Sequence, residues 1–228
     1  MARPLESVPM PGPTTRLLMR SLCLLALLPA LASARGAPAE YRLDPVHTRV
    51  MFAISHAGFS NALGTVSGST GTLVFDPDDW TRARVDVRVP IARADLGDAD
   101  WNKATLAKSL LDAEGHPEAR FVSTRVEPVD ATHAKVHGDL SLRGVTREVV
   151  LDVTLNAVKR HPMPPFRRTV GFSATTTLSR ADFGITAWKS VIGDEVELRI
   201  EAEATYDGKA DEAAADTPPS PPLPEPTP

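Results

Sequence analysis

The sequence predicts an all-β protein, an eight-stranded antiparallel β-barrel with one helical excursion. The first observation is the last apolar segment, residues 194–206, in which the even-numbered side chains from Val196 to Ala204 are apolar and the odd-numbered ones are polar. This alternation predicts a strand with one buried face. The second observation is that several other segments repeat the pattern, with almost no helical spacing between them. A sheet with such a long apolar face must close on itself to keep that face dry.

The strands follow one another along the chain. Residues 41–47 predict a short edge piece and a turn, and residues 48–56 predict the first long strand. Residues 62–76 predict a long, bent strand, because their glycines permit the tight coiling of a small barrel. The other strands are predicted at 82–91, 119–127, 134–142, 147–159, 167–178 and 194–206. Short links at Asp130-Ala-Thr and Arg143-Gly144 predict hairpins, so neighbouring strands are expected to pair antiparallel.

One segment lacks the alternation of apolar and polar residues that is typical of the strands. Residues 98–114 predict the single substantial helix, because their large apolar side chains recur near helical spacing. Asp98 can cap its start, and Gly115 followed by His116-Pro117 ends it.

The two ends of the chain differ from the middle. Residues 1–34 have the basic, apolar and small-residue layout of a secretory signal peptide, which predicts export and no stable membrane anchor after cleavage near Ala34. Cys23 is the only cysteine, so the mature chain has no thiol. Residues 37–208 form one domain, predicted to be the barrel, and residues 209–228 predict a disordered, Pro-rich acidic tail.

Charge and motifs exclude several classes of function. The formal charge is −4, and removing the net +2 of residues 1–34 leaves −6, which argues against nucleic acid and against electrostatic docking on anionic lipid. The sequence has no GxSxG elbow and no phosphate-binding loop. His133 and His137 are four apart in a turn and a strand, a spacing that does not predict a metal site there. We therefore expect neither an enzyme nor a metal protein.

The interior of the predicted barrel can be occupied in two ways: its own side chains fill it, or it holds one ligand. Small residues on the apolar parity, namely Gly138, Ala174, Ala202 and Ala204, leave room and favour a ligand. An apolar wall selects a lipophilic small molecule. Phenylalanine at position 202 or 204 is then expected to reduce ligand capacity before it reduces stability.

Four segments carry a resemblance to a known family. They are Tyr41-x-Leu43-Asp44-x-x-His47-Thr-x-Val50-x-Phe52-x-Ile54-x-His56, Gly64-x-Val-Ser-Gly-x-x-Gly71-x-Leu-x-Phe75, Gly138-Asp-Leu-x-Leu-Arg-Gly144-Val-Thr146, and Arg180-Ala-Asp182-Phe-Gly184-Ile followed by Gly193-Asp-Glu-Val196. Their order and spacing resemble the YceI-like family, the polyisoprenoid-binding barrels of bacterial envelopes. The resemblance implies a lipocalin-like barrel with a hydrophobic pore for an isoprenoid chain, such as that of a quinone or a polyprenyl phosphate. It also implies a binding or carrier role, with no cofactor beyond the bound lipid.

One departure from the family affects the headgroup. Where the family commonly has Arg-Asp-x-His-Leu, this chain has Asn102-Lys103-Ala104-Thr105-Leu106. Only Leu106 matches, so the roles of the family's Asp and His do not transfer.

The candidate ligand-binding residues fall into three groups. The pore is expected to be lined by Phe52, Ile54, Val87, Val89, Leu140, Leu151, Val153, Phe172, Leu198 and Ile200. Its mouth is expected to carry Phe59, Trp101, Leu106, Leu110, Phe183 and Trp188, with His56 and Lys103 at the polar end.

Two other functions stay open at this point. One is a structural or stress-response envelope protein with a filled barrel that acts through a protein partner. The other is an enzyme with a site built from His47, His56 and nearby carboxylates. The sequence also leaves open a homodimer, the identity of the lipid, and a choice between carrying, storing and sensing.

Overall fold

The computed structural model describes residues 38–208, which form one sheet and one α-helix. The predictions for residues 1–34 and 209–228 fall outside this range and stay predictions. The elements are β1 (Ala39–Leu43), β2 (Arg49–His56), β3 (Ser60–Ser67), β4 (Thr70–Phe75), β5 (Arg84–Pro90), β6 (Ala94–Asp95), α1 (Ala99–Leu106), β7 (Glu118–Pro128), β8 (His133–Leu142), β9 (Val145–Arg160), β10 (Arg168–Ser179) and β11 (Ile192–Tyr206).

The eleven strands occupy eight strand positions around the barrel, because some short strands follow one another along one position. We call each position a stave. β1 and β2 are two halves of one stave, because both pair with the same edge of β11, with Tyr41 opposite Tyr206 and His56 opposite Ile192. β3 and β4 form the next stave, and β5 continues into β6. β11 also pairs with β10 over most of its length, which closes the ring. The predicted eight-stranded antiparallel barrel is therefore confirmed.

The first described strand, β1, is not an edge strand. Residues 41–47 were expected to form a short edge piece, but β1 pairs with β4 on one side and with β11 on the other. Tyr41 is 0% exposed. The expectation was wrong because the pattern of apolar and polar residues in so short a segment cannot show that the last strand, β11, pairs with it.

The barrel has two unlike ends. At the closed end lie the β4–β5, β7–β8 and β9–β10 connections and both ends of the described chain. Phe75 there makes edge-on ring contacts with Trp80 and Phe172 at centroid distances of 5.1 and 5.2 Å. The open end carries the β2–β3 and β8–β9 turns, the α1 excursion and residues 180–191.

The helix is shorter than its spacing predicts. The Asp98 carboxylate accepts hydrogen bonds from the backbone N–H groups of Asp100 and Trp101, both at 3.0 Å, as a cap should. The helix ends at Leu106 rather than near residue 114. The chain then turns back, so that Leu110 and Leu111 pack against buried side chains of the open end. No helix within residues 38–208 has the length and apolar character to cross a membrane.

Two glycines lie under phenylalanine rings. A Cβ on Gly64 would lie 2.2 Å from the tip of the Phe52 ring, and one on Gly138 would lie 2.4 Å from that of Phe121. Each ring therefore covers a glycine on the neighbouring strand and lies against the wall. Gly138 does not leave free space, as the sequence had suggested, because Phe121 occupies it.

Gly138→Ala is expected to lower the free energy of unfolding by about 1–3 kcal/mol. The reason is that its Cβ would also lie 2.6 Å from the backbone oxygen of Val122, so strand β7 must shift. Gly171→Ala is the matched control, because a Cβ there meets no atom closer than 4.0 Å, and it is expected to be neutral or stabilising by up to about 1 kcal/mol. Urea unfolding followed by circular dichroism measures both. Equal values would contradict the close approach of β7 and β8.

Candidate functional site

The barrel encloses one large apolar cavity of about 510 Å³. Its wall includes the inward row of β11, from Val196 to Ala204, and the facing rows of the other long strands. The cavity reaches Phe75 and Trp80 at the closed end and α1 at the open end. The volume lies within the range of about 300–1,000 Å³ that is usual for small-molecule sites.

Most of the candidate residues lie on this wall. Fourteen of the eighteen line the cavity: Phe52, Ile54, His56, Val87, Val89, Trp101, Leu110, Leu140, Leu151, Val153, Phe172, Phe183, Leu198 and Ile200. Strand parity placed the eleven that lie on β-strands, because alternate side chains of a closed sheet must face the lumen. The other three, Trp101, Leu110 and Phe183, lie outside the strands. Whether each one contacts a ligand stays a prediction.

Four candidates lie outside the cavity lining: Phe59, Lys103, Leu106 and Trp188. Phe59 is 94% exposed in the β2–β3 turn, and Trp188 is 65% exposed in the loop before β11. Lys103 lies on the solvent side of α1. Strand parity does not extend into turns, so the sequence could not orient Phe59 and Trp188.

Sequence reasoning also missed part of the wall. Val85 and Leu178 line the cavity and share the parity of strand residues that were named as candidates, so the pattern could have found them. Trp80 and Ile185 also line it but lie outside the β-strands, where no periodic signal exists.

The polar groups on the wall are mostly engaged within the protein. The Ser123 hydroxyl accepts a hydrogen bond from the Val85 N–H at 2.9 Å, and Thr48 donates to the Glu203 carbonyl at 3.3 Å. Ser69 Oγ and Trp80 Nε1 are buried without a hydrogen-bond partner within the described chain. The wall therefore offers a ligand very few polar contacts.

Trp101 marks the opening of the cavity. Its side chain lines the cavity and is also 41% exposed, so it lies at the boundary with solvent. The indole ring contacts the His56 imidazole at a centroid distance of 5.3 Å. α1 is held beside this opening by Asn102, whose side chain accepts from the Leu96 N–H at 2.7 Å and donates to Asp95 at 2.9 Å. The Asn102 hydrogen bond lowers the pKa of the Asp95 carboxyl.

A buried arginine fixes the other side of the open end. Arg180 is 5% exposed, and its guanidinium donates hydrogen bonds of 2.7–3.0 Å to the carbonyls of four residues. Those acceptors are Ile185, Ala187, Ile192 and Gly193. The hydroxyl of Ser179 donates to Asp194, which lowers the pKa of that carboxyl and ties the same segment to β10. Residues 180–193 are therefore a rigid cover over part of the mouth.

The histidines do not converge. His47 lies before β2 and its Nδ1 is 2.8 Å from Asp44, whereas His56 lies at the far end of that strand. An eight-residue strand spans about 25 Å, so the two imidazoles cannot serve one reaction centre. The sequence hypothesis of a site built from both is wrong. Within residues 38–208, no three His, Cys, Asp or Glu side chains are grouped to hold a metal ion.

The fold and the cavity define a class: lipocalin-like barrels, closed antiparallel sheets around a single apolar cavity. Residues 41–204 match the model of the YceI-like domain, so the chain belongs to the YceI-like family.

Relatives and solved structures agree with this assignment. The chain is 38% identical over 172 residues to a UPF0312 protein of Pseudomonas savastanoi pv. phaseolicola, an alignment that covers 74% of this chain and 88% of the relative. The crystal structure of Burkholderia cenocepacia BcnA superimposes with a TM-score of 0.64 at 24% identity, covering 72% of this chain and 99% of that one. A polyisoprenoid binding domain from Saccharophagus degradans superimposes with a TM-score of 0.55 at 15% identity, covering 75% and 99%. At these identities the structural matches establish the fold.

Ala174→Phe is expected to reduce the capacity of the cavity with little change in stability, because Ala174 faces the lumen between Val153 and Ile200. Binding of the apolar fluorophore N-phenyl-1-naphthylamine, measured beside the thermal midpoint, tests this. Ala204→Phe is the contrast, and here the structure corrects the expectation from the sequence. Ala204 is 2% exposed among the closed-end core, so this variant should first lose about 1–3 kcal/mol of stability. Full fluorophore capacity in Ala174→Phe would contradict the assigned lumen.

Proposed function

We propose that this protein is a periplasmic binding or carrier protein that holds the isoprenoid chain of a lipid, an isoprenoid quinone or a polyprenyl phosphate, in its barrel. The observation that carries the proposal is the apolar cavity of about 510 Å³. The signal-like layout of residues 1–34 supports the location. The Saccharophagus degradans neighbour, described as polyisoprenoid binding, supports the class of ligand.

The energetics favour a long apolar chain. Transfer of a methylene from water to an apolar site contributes about 0.8 kcal/mol, so ten buried carbons contribute about 8 kcal/mol. That corresponds to a micromolar dissociation constant before the cost of ordering the ligand is subtracted. Affinity therefore does not require an ionic contact to the headgroup.

Weak headgroup selection follows from the residues at the mouth. Thr105, which stands where the family commonly has His, lines the cavity, and Lys103, which stands at the Asp position, faces solvent. His56 is the titratable group on the wall beside this stretch. The apolar wall supports discrimination by chain length and branching.

The alternative of a filled barrel that acts through a protein partner is less favoured. A filled interior requires side chains of the two walls to meet, yet the cavity extends from the closed-end core to α1. The hypothesis of an enzyme site built from His47 and His56 is also less favoured, because the two side chains lie far apart. A binding role makes direct use of the cavity, and we favour it over catalysis for that reason.

Purified mature chain is expected to release an isoprenoid lipid on organic extraction, and native mass spectrometry should show the same added mass. Delipidated protein should bind a long-tailed quinone at least about tenfold more tightly than one with a single isoprene unit, because each added methylene adds about 0.8 kcal/mol. The matched comparison keeps the tail and changes the headgroup, which should change the affinity less than tenfold. Recovery of no lipid together with no uptake of added quinone would refute the proposal.

Cell fractionation tests the location separately. The protein is expected in the periplasmic fraction, with an intact mass that corresponds to cleavage near Ala34. A cytoplasmic chain of full mass would contradict the export prediction and leave the ligand proposal standing.

A further inference from the structure

Three large aromatic side chains are exposed together at the open end of the barrel. Phe59 is 94% exposed, Trp188 is 65% exposed and Trp101 is 41% exposed. They come from three separate segments, the β2–β3 turn, the loop before β11, and α1. We call these three side chains the aromatic rim.

Backbone contacts hold the rim segments side by side. The Ala57 N–H donates to the Val191 carbonyl at 2.6 Å, which joins the turn that carries Phe59 to the loop that carries Trp188. The Val191 N–H in turn donates to the Trp188 carbonyl at 2.9 Å. Trp101 contacts His56, which begins the same turn. The three segments that carry the rim residues are therefore neighbours at the open end.

The rim is continuous with the cavity. Trp101 belongs to both, because it lines the cavity and is partly exposed. An apolar chain that leaves the lumen at this point passes from the wall onto aromatic rings. If the rim contacts a hydrocarbon phase, the chain never crosses water, which would cost about 0.8 kcal/mol per exposed methylene.

We propose that the aromatic rim docks the open end on the surface of a lipid bilayer, so that a lipid moves directly between the bilayer and the cavity. This inference rests on the proposed function. The chemistry matches the headgroup region of a membrane, where Trp side chains concentrate. Exposed Lys103 and Lys189 lie beside Trp101 and Trp188 in sequence, and lysine stems can extend toward lipid phosphates.

Net charge does not drive this docking. Asp98 and Asp100 lie on the same helix as Lys103, so the open end has mixed charge. The sequence argues against electrostatic attraction to anionic lipid, and insertion of aromatic rings does not need it. Docking should therefore depend little on salt, because screening weakens exposed charge pairs but not apolar insertion.

A second copy of the chain fits the rim less well. An aromatic side chain buries about 150–250 Å², so the exposed parts of the three rings supply about 400 Å² per copy. Specific interfaces bury about 800 Å² per partner. The rim is too small for a stable dimer by itself, and a bilayer has no such minimum area.

The test compares Phe59→Ser/Trp188→Ser with a control at the closed end, Phe166→Ser. Phe166 is a fitting control because it is 51% exposed and has φ +58°, against 65% and +59° for Trp188. Neither Phe59 nor Trp188 lines the cavity. Flotation with vesicles of phosphatidylethanolamine and phosphatidylglycerol measures docking, and transfer of a long-tailed quinone between vesicles measures delivery.

The rim variant is expected to partition onto vesicles at least about tenfold less and to transfer quinone correspondingly more slowly. The control should match the native protein, and high salt should change native partitioning less than about twofold. Uptake of quinone from detergent should be equal in all three proteins. If the native protein takes up no quinone from detergent, the proposed function is refuted rather than the docking proposal.

Three results would overturn the docking proposal while lipid binding stands. The first is native protein that takes up quinone from detergent but does not float with vesicles. The second is an equal loss of flotation in Phe166→Ser. The third is a dimer seen by light scattering that the rim substitutions dissociate without any change in flotation, which would assign the rim to a second copy.

Discussion

Pairing of β11 with three other strands is the interaction on which the rest of the structure depends. β11 runs beside β10 on one edge and beside both β1 and β2 on the other. Without the second edge, the alternating strands would form an open sheet with a long apolar face and unpaired backbone groups. Closure removes both liabilities together, and it also fixes the circumference at eight staves. The interior volume is thus a consequence of strand pairing rather than of any single residue on the wall.

The cavity persists because its side chains fill only one end of that volume. At the closed end, Tyr41, Phe75, Trp80 and Val170 are almost fully buried and pack into a core. Farther along, phenylalanine rings lie flat on glycines, as Phe52 does on Gly64, instead of projecting across the lumen. A void lined by aliphatic side chains gains little from water, because water finds almost no hydrogen-bond partners there. The same wall that makes hydration unfavourable makes a branched hydrocarbon chain a suitable occupant.

The sequence predicts the strands and the lumen well because both follow from a period of two. Of the fourteen candidate residues on the wall, the eleven on β-strands follow strand parity. Turns have no such rule, which is why Phe59 and Trp188 were placed at the mouth of the pore but lie outside its lining. Helical spacing also failed beyond Leu106, where packing of Leu110 and Leu111 against the barrel overrides local propensity. The role of Arg180 depends on four carbonyls brought together only by folding, so no motif could assign those contacts.

The two sides of the open end differ in how firmly hydrogen bonds hold them. Residues 180–193 are fixed by the bonds of Arg180 to four backbone carbonyls, whose simultaneous loss would leave a buried guanidinium without partners. α1 is attached to the barrel through Asn102, which bridges to Leu96 and Asp95, and the segment after it through Arg143, which donates to the Lys108 carbonyl at 3.0 Å. Outward movement of α1 therefore requires fewer buried hydrogen bonds to break than movement of the opposite cover. Trp101 lies against His56 between α1 and β2, so the less firmly held side is also the point at which the wall of the cavity continues onto the exposed aromatic surface.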